Sequence, residues 1–337
     1  MEKIAYIDNR PFAIEPGETI LQFVRRNSGH DVIPTLCQAE NLDNYGSCRI
    51  CSVEVALKEG GPGKVMASCH TPVAPGYYVY PSTDRIRRLR KNILELVLSE
   101  YPPERLIPEP GMLPTEFQTV VAAAGSPEVR YHLNVTHHEK DRSRPYVWSD
   151  LTECIKCYRC VRACDELQAE HVLGIYGRGD DSRIIKGFDQ SFRDSPCVSC
   201  GACVQTCPTN ALHDRYSVKT LKADRIVRTT CTYCGVGCNL DVKVADGQVR
   251  GIQAPLDSAT NRGHTCVKGR YAFEFYNHPE RLRSPMVRKN GELKEVSWDE
   301  AYEYTAKRFR EIKDKYGPDA LAGISSARCT NEENYLM

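Results

Sequence analysis

Short alternating runs of apolar residues, broken by turn residues, open the chain. Ala5 to Ile7 and Phe12 to Ile14 read as strands, joined by Asp8, Asn9, Arg10 and Pro11, a turn composition. After Pro16 and Gly17, the apolar Ile20, Phe23 and Val24 fall on one helical face. Ser52 to Leu57 alternates again as a strand. A helical period then takes over. Ile86, Leu89, Ile93, Leu96 and Val97 share a face, and Arg85, Arg87, Arg88, Arg90 and Lys91 form the opposite, solvated one. Pro102, Pro103, Pro108, Pro110 and Pro114 mark a connection. Further on, Leu240, Val242 and Val244 alternate, Asp246 and Gly247 turn the chain, and Val249 to Ile252 returns as a hairpin. Ser297 and Glu300 have capping-box spacing; Ala301, Thr305, Phe309 and Ile312 follow at helical intervals, and Gly317 suits the stop. Trp298 and Phe309 are expected in a core.

No run reaches the eighteen apolar residues a membrane helix needs. The start of the chain lacks an apolar signal core, and Arg25 and Arg26 lie too deep for an export signal, so a cytoplasmic chain is expected. Lys plus Arg is 45 and Asp plus Glu is 44, a net charge of +1, which gives no case for a nucleic-acid or acidic-membrane partner. The 337 residues suit two to four domains. Seventeen cysteines change the picture, because dense cysteine in a reducing compartment means metal before disulfide.

Sixteen of them form four groups, leaving Cys329, expected as a buried small hydrophobe. Cys154, Cys157, Cys160 and Cys164 have successive gaps of two, two and three residues; Cys197, Cys200, Cys203 and Cys207 repeat this and are followed by Pro208. This is the bacterial ferredoxin run, in which the fourth cysteine ligates the other cluster. Cys154, Cys157, Cys160 and Cys207 would hold one [4Fe–4S] cluster; Cys197, Cys200, Cys203 and Cys164 would hold the other. Paired zinc sites are the alternative. Cys37, Cys48, Cys51 and Cys69 depart from plant-type spacing, yet loops around a half-open sheet suit a [2Fe–2S] cluster, with zinc left open. Cys231, Cys234, Cys238 and Cys266 form the fourth group, with Gly235 and Gly237 between ligands so that backbone can approach sulfur. Lys268 follows two residues after Cys266. Gly174, Gly177 and Gly179 do not have dinucleotide-motif spacing. His137 and His138 sit in a polar stretch and read as a solvated loop.

The fourth group resembles the N-terminal cluster domain of molybdenum or tungsten bis-pterin oxidoreductases. Residues 325–337 resemble the formate dehydrogenase branch, and the first 220 residues resemble the front of the large subunit of NADH dehydrogenase. The resemblance implies an α+β multidomain chain. Residues 1–80 would be a β-grasp [2Fe–2S] ferredoxin domain, 81–144 a helix and Pro-rich connection, and 145–216 a bacterial-type double [4Fe–4S] ferredoxin. Residues 225–282 would be a [4Fe–4S] domain, and 283–337 the start of a truncated α/β pterin-binding body. It further implies one [2Fe–2S] and three [4Fe–4S] clusters. The full-length protein would add bis-molybdopterin guanine dinucleotide carrying Mo or W. The implied role is the electron-transfer portion of a formate dehydrogenase acting on formate or CO2. Lys268 would lie between pterin and fourth cluster, and a flavin- or NAD-binding subunit would accept electrons. A stand-alone polyferredoxin-like carrier, or another molybdopterin oxidoreductase, is the alternative. Relatives carry a further His/Cys cluster where this chain has Tyr101, Arg105 and Pro108, so that cluster is expected to be missing. The metal's protein ligand is expected beyond Met337, so the chain alone is not expected to turn over formate.

Overall fold

A computed structural model describes residues 3–337. The first unit is a five-stranded mixed sheet with strand order β2-β1-β5-β3-β4. Its strands are β1 (Ile4–Ile7), β2 (Arg10–Ala13), β3 (Ser52–Ala56), β4 (Lys64–Ala67) and β5 (Tyr78–Tyr80). β1 and β5 run parallel while the other pairs are antiparallel. Helix α1 (Ile20–Ser28) packs Ile20, Leu21, Phe23 and Val24 against Val53, Val55 and Val79, giving the β-grasp core. Thr19 and Gln22 cap it reciprocally. The turn between β1 and β2 is tighter than its composition suggested. Asp8 and Asn9 alone have positive φ, as a two-residue hairpin turn requires, and Arg10 and Pro11 belong to the edge strand.

Helix α2 (Asp84–Leu98) buries Ile86, Leu94 and Leu98. Two assignments on it are corrected. Leu96 is 54% exposed, because the helix packs along a narrower stripe. Arg90 is buried rather than solvated: its guanidinium donates to the carbonyls of Ile50 (3.1 Å) and Ser52 (2.9 Å), which flank Cys51. Helix α3 (Glu116–Ala123) closes a second core of Leu36, Ile50, Leu94, Leu98, Tyr101, Phe117 and Val121.

The ferredoxin-like unit follows. It consists of β6 (Val147–Ser149), α4 (Arg159–Arg162), β7 (Leu173–Tyr176), β8 (Arg183–Lys186), α5 (Ala202–Thr206) and β9 (Leu212–Asp214). β6 pairs with β9 and β7 with β8, all antiparallel. The glycines at 174, 177 and 179 belong to the β7–β8 hairpin and its tip.

A three-stranded antiparallel sheet comes next: β10 (Arg225–Thr230), β11 (Asn239–Ala245) and β12 (Gln248–Gln253). The predicted hairpin is β11–β12, turning at Asp246 and Gly247, both with positive φ. The edge strand β10 was not legible, since it has no buried residue to set a period. Helices α6 (Val267–Tyr271) and α7 (Glu274–Asn277) lie beside this sheet, and hairpin β13 (Met286–Lys289) and β14 (Glu292–Glu295) leads to α8 (Trp298–Tyr316) and α9 (Asn331–Leu336). Ser297 caps α8 through the Glu300 amide (3.2 Å), but the Glu300 carboxylate goes to Lys289 instead of closing the box. The core placement of Trp298 and Phe309 is overturned: they are 63% and 55% exposed, and no residue of α8 is buried among the described residues. Cys329 is likewise only half-buried. No described helix is long and apolar enough to cross a membrane.

Candidate metal centres

The four thiols of the first group lie in two pairs at the end of the β-grasp sheet. Cys51 and Cys69 approach to 3.3 Å between sulfurs, and the Cys48 amide donates to the Cys37 sulfur at 3.5 Å. The Cys48 thiol holds Cys37 down to about 5, and the Cys69 thiol holds Cys51 down to about 7. Cys48 and Cys69 are pushed up by the partner sulfur and by burial. Two sulfur pairs are what a two-iron rhomb needs, since each iron carries two terminal thiolates beside two bridging sulfides. No three described Cys, His, Asp or Glu side chains gather tightly enough for a single ion.

The second and third groups repeat one backbone conformation. In the loop from Cys154, Lys156 and Tyr158 have positive φ; in the loop from Cys197, Ser199 and Gly201 do. The first of each pair turns its amide onto the leading sulfur, Lys156 onto Cys154 and Ser199 onto Cys197, both at 3.4 Å. Amide hydrogens aimed at sulfur stabilise thiolate charge. A short helix then presents the third cysteine, Cys160 on α4 and Cys203 on α5.

The fourth cysteines cross over. Burial, with a smaller contribution from nearby Cys207, raises Cys154 to about 11 and Cys157 to about 12, and burial with the neighbouring thiols, Cys207 among them, raises Cys160. Cys164 stands in the same relation to Cys197, Cys200 and Cys203. A small void is lined by Cys154, Cys157, Cys160 and Cys207, walled by Leu151, Ile184 and Leu212. Cys164 sits in a widened helical turn and accepts the Val172 amide at 3.3 Å. Cys207 thus shares a void with the three thiols of the first loop rather than with those of its own.

The fourth group is the most open. Cys234 and Cys266 are exposed, and Cys231 and Cys238 are half-buried. The Cys231 amide donates to the Cys238 carbonyl at 2.8 Å, and Gly237 takes φ +67° inside the loop. Cys266 begins α6, bringing Lys268 to the rim of a cavity of about 400 Å³ that also contains Cys231, Tyr233 and Val242. Lys268 is exposed. Gly269 is required here: a side chain would meet Thr265 Oγ1 at 2.2 Å and Cys231 Sγ at 3.5 Å.

In the connection after α2, Tyr101 is buried, meets Phe117 edge-on at 4.8 Å, and donates to Glu153 at 3.4 Å. Arg105 lies 3.7 Å from the same carboxylate. His138 is half-buried with its amide on Thr152, and His137 is exposed.

Family models divide the chain in the same order. Residues 4–84 match a 2Fe-2S iron-sulfur cluster binding domain, and 144–213 the ferredoxin-like domain of NADH-quinone oxidoreductase subunit 3. Residues 224–278 match the molybdopterin oxidoreductase Fe4S4 domain, and 281–337 molybdopterin oxidoreductase itself. The molybdopterin oxidoreductase matches are therefore confined to residues 224–337, behind the two ferredoxin-type matches. Proteins of Staphylococcus aureus strains MW2 and N315, each named "Putative formate dehydrogenase", are 31% identical over 99% of this chain and 37% of their own length. The chain thus spans well under half of these relatives. The crystal structure of an NAD+-reducing [NiFe]-hydrogenase in the H2-reduced state aligns with TM-score 0.54 and 26% identity, covering 64% of this chain and 88% of that one.

Sequence reasoning missed the buried cations around these groups. Arg90, Arg162, Lys219 and Arg270 all donate to carbonyls at or beside group cysteines. Their acceptors are remote in sequence or, for Lys219, follow no local pattern.

Proposed function

We propose that this chain, as part of a molybdopterin oxidoreductase, carries electrons for formate oxidation to CO2, or its reverse, through four iron–sulfur clusters. Cys37, Cys48, Cys51 and Cys69 hold a [2Fe–2S] cluster. Three [4Fe–4S] clusters fall to Cys154, Cys157, Cys160 with Cys207, to Cys197, Cys200, Cys203 with Cys164, and to Cys231, Cys234, Cys238 with Cys266. When bound, such clusters exchange single electrons, and a pterin-held Mo or W takes up an electron pair. The protein's part is positional. Paired loops fix three thiols each, the αL residues aim amides at sulfur, and the apolar walls exclude water. Lys268, on the family resemblance, would stand between the fourth cluster and bis-molybdopterin guanine dinucleotide and help pass electrons between them. The acceptor is a flavin- or NAD-binding partner; the hydrogenase likeness supports this, as the Staphylococcus names support formate.

The observation that carries the reading is the crossing of Cys164 and Cys207, which a pair of separate zinc knuckles has no need of. Anaerobic purification followed by iron, sulfide and zinc analysis tests it. About fourteen irons per chain are expected; stoichiometric zinc with trace iron rejects it. Formate that fails to bleach the clusters in pterin-loaded protein rejects formate as donor.

A further inference from the structure

Three buried or partly buried cations each donate to the backbone carbonyl of a group cysteine, and each comes from chain that follows the group it serves. Arg162, on α4 of the ferredoxin-like unit, reaches back to the Cys37 carbonyl and, at 2.6 Å, to the Asp43 carbonyl. It stacks over Tyr45 at 4.7 Å and is 9% exposed. Lys219, in the segment leading to the three-stranded sheet, donates to the Cys207 carbonyl and, at 2.9 Å, to that of Thr209. Arg270, on α6 of the fourth domain, donates to the Cys200 carbonyl at 2.8 Å and to Gln205 Oε1 at 2.7 Å, and is 1% exposed. Gln205 in turn is tied to Ala254 through two hydrogen bonds of 2.7 and 3.1 Å. Position 201 is glycine because a Cβ there would lie 2.5 Å from Arg270 Cδ and 2.3 Å from the Tyr271 hydroxyl.

We propose that Arg162 and Arg270, with Lys219 in a parallel place, are positioning residues that set the reduction potential of the cluster in the neighbouring domain. This rests on the cluster reading above. An added electron makes a cluster more negative, so a cation held against a ligand's own peptide favours the reduced state. Because the guanidinium is desolvated, its field on the cluster is screened little. The charge arrives only when the next domain docks, so docking and potential are linked, and the fork of two hydrogen bonds fixes where the charge sits.

The experiment is an EPR-monitored redox titration of the whole 337-residue chain, cluster by cluster, with iron counted in each sample. Arg162→Gln is expected to shift the [2Fe–2S] midpoint downward and leave the four-iron midpoints in place. Arg270→Gln is expected to lower only the cluster on Cys197, Cys200, Cys203 and Cys164. Arg→Lys at either site keeps the charge and is expected to hold the midpoint near its wild-type value. Should Arg270→Gln not accumulate, Gln205→Glu sets a carboxylate against the guanidinium and is expected to lower the same midpoint. Full iron with unmoved midpoints, or an equal shift of every cluster, overturns the inference while leaving the clusters standing. Wild-type chain without iron overturns the function as well.

Discussion

The two cysteine loops of the ferredoxin-like unit share spacing and backbone, and among the positions where their residues differ one is instructive: Tyr158 in the first and Gly201 in the second. Each residue sits at positive φ, +60° and +76°, just before its short helix. The first loop faces the β7–β8 hairpin, with room for an aromatic ring whose hydroxyl meets Ser182 at 3.1 Å. The second faces α6 of the next domain, whose Arg270 and Tyr271 occupy that space. Local geometry is thus fixed by the cluster pattern, and residue choice by which neighbour covers the loop. A strained tyrosine is tolerated where it packs; glycine is imposed where another domain presses in.

The comparison breaks most completely at the crossed cysteines. Cys164→Ser is expected to remove the cluster built on the second loop, and Cys207→Ser the one built on the first. Each variant should lose about four irons per chain, read by metal analysis and EPR. Loss of the cluster on the variant's own loop would show the thiols uncrossed.

Exchanging the distinguishing residue comes next. Gly201→Tyr drives a side chain into Arg270 and Tyr271 and adds strain at positive φ. The expected cost is about 3 kcal/mol or more, measured as lower thermal stability with α6 opened to proteolysis. Tyr158→Gly relieves φ strain but loses packing and the Ser182 bond, for a net loss of about 1–2 kcal/mol. If the two swaps cost the same, the neighbouring domain does not decide position 201.

The smallest effect separates backbone from side chain. Lys156 has its ammonium 2.6 Å from Glu100 Oε2, while its amide serves Cys154. Lys156→Ala should cost under about 1 kcal/mol and leave the cluster's visible spectrum unchanged. A changed spectrum would place the side chain, not the amide, in control of that sulfur.

Much of this arrangement was legible in the chain because it is local. Two-residue gaps announce ligand loops, Asp246 and Gly247 announce a hairpin, and Ser297 announces a helix start. What escaped depends on distant partners. Arg162 lies between two predicted ligands, but nothing nearby shows that its acceptor is Cys37. Arg90 looked like one of five solvated cations; only the approach of β3 to α2 desolvates it and pulls it down to about 10. Trp298 and Phe309 show the opposite failure, since helical periodicity signals a face that seeks a partner but not whether one is present.

The crossed thiols also dictate an order of events during synthesis. Under the proposed ligation, the first loop emerges early with three ligands and must wait for Cys207. The second set holds only Cys164 until Cys197 appears and is complete at Cys203. Two sites begun far apart along the chain are therefore completed within one short stretch of translation. A ribosome stalled before Cys203 carries six of this unit's eight cysteines and neither finished cluster site. Maturation of the pair is a single late event, and a chain cut between the two loops cannot rescue half of it.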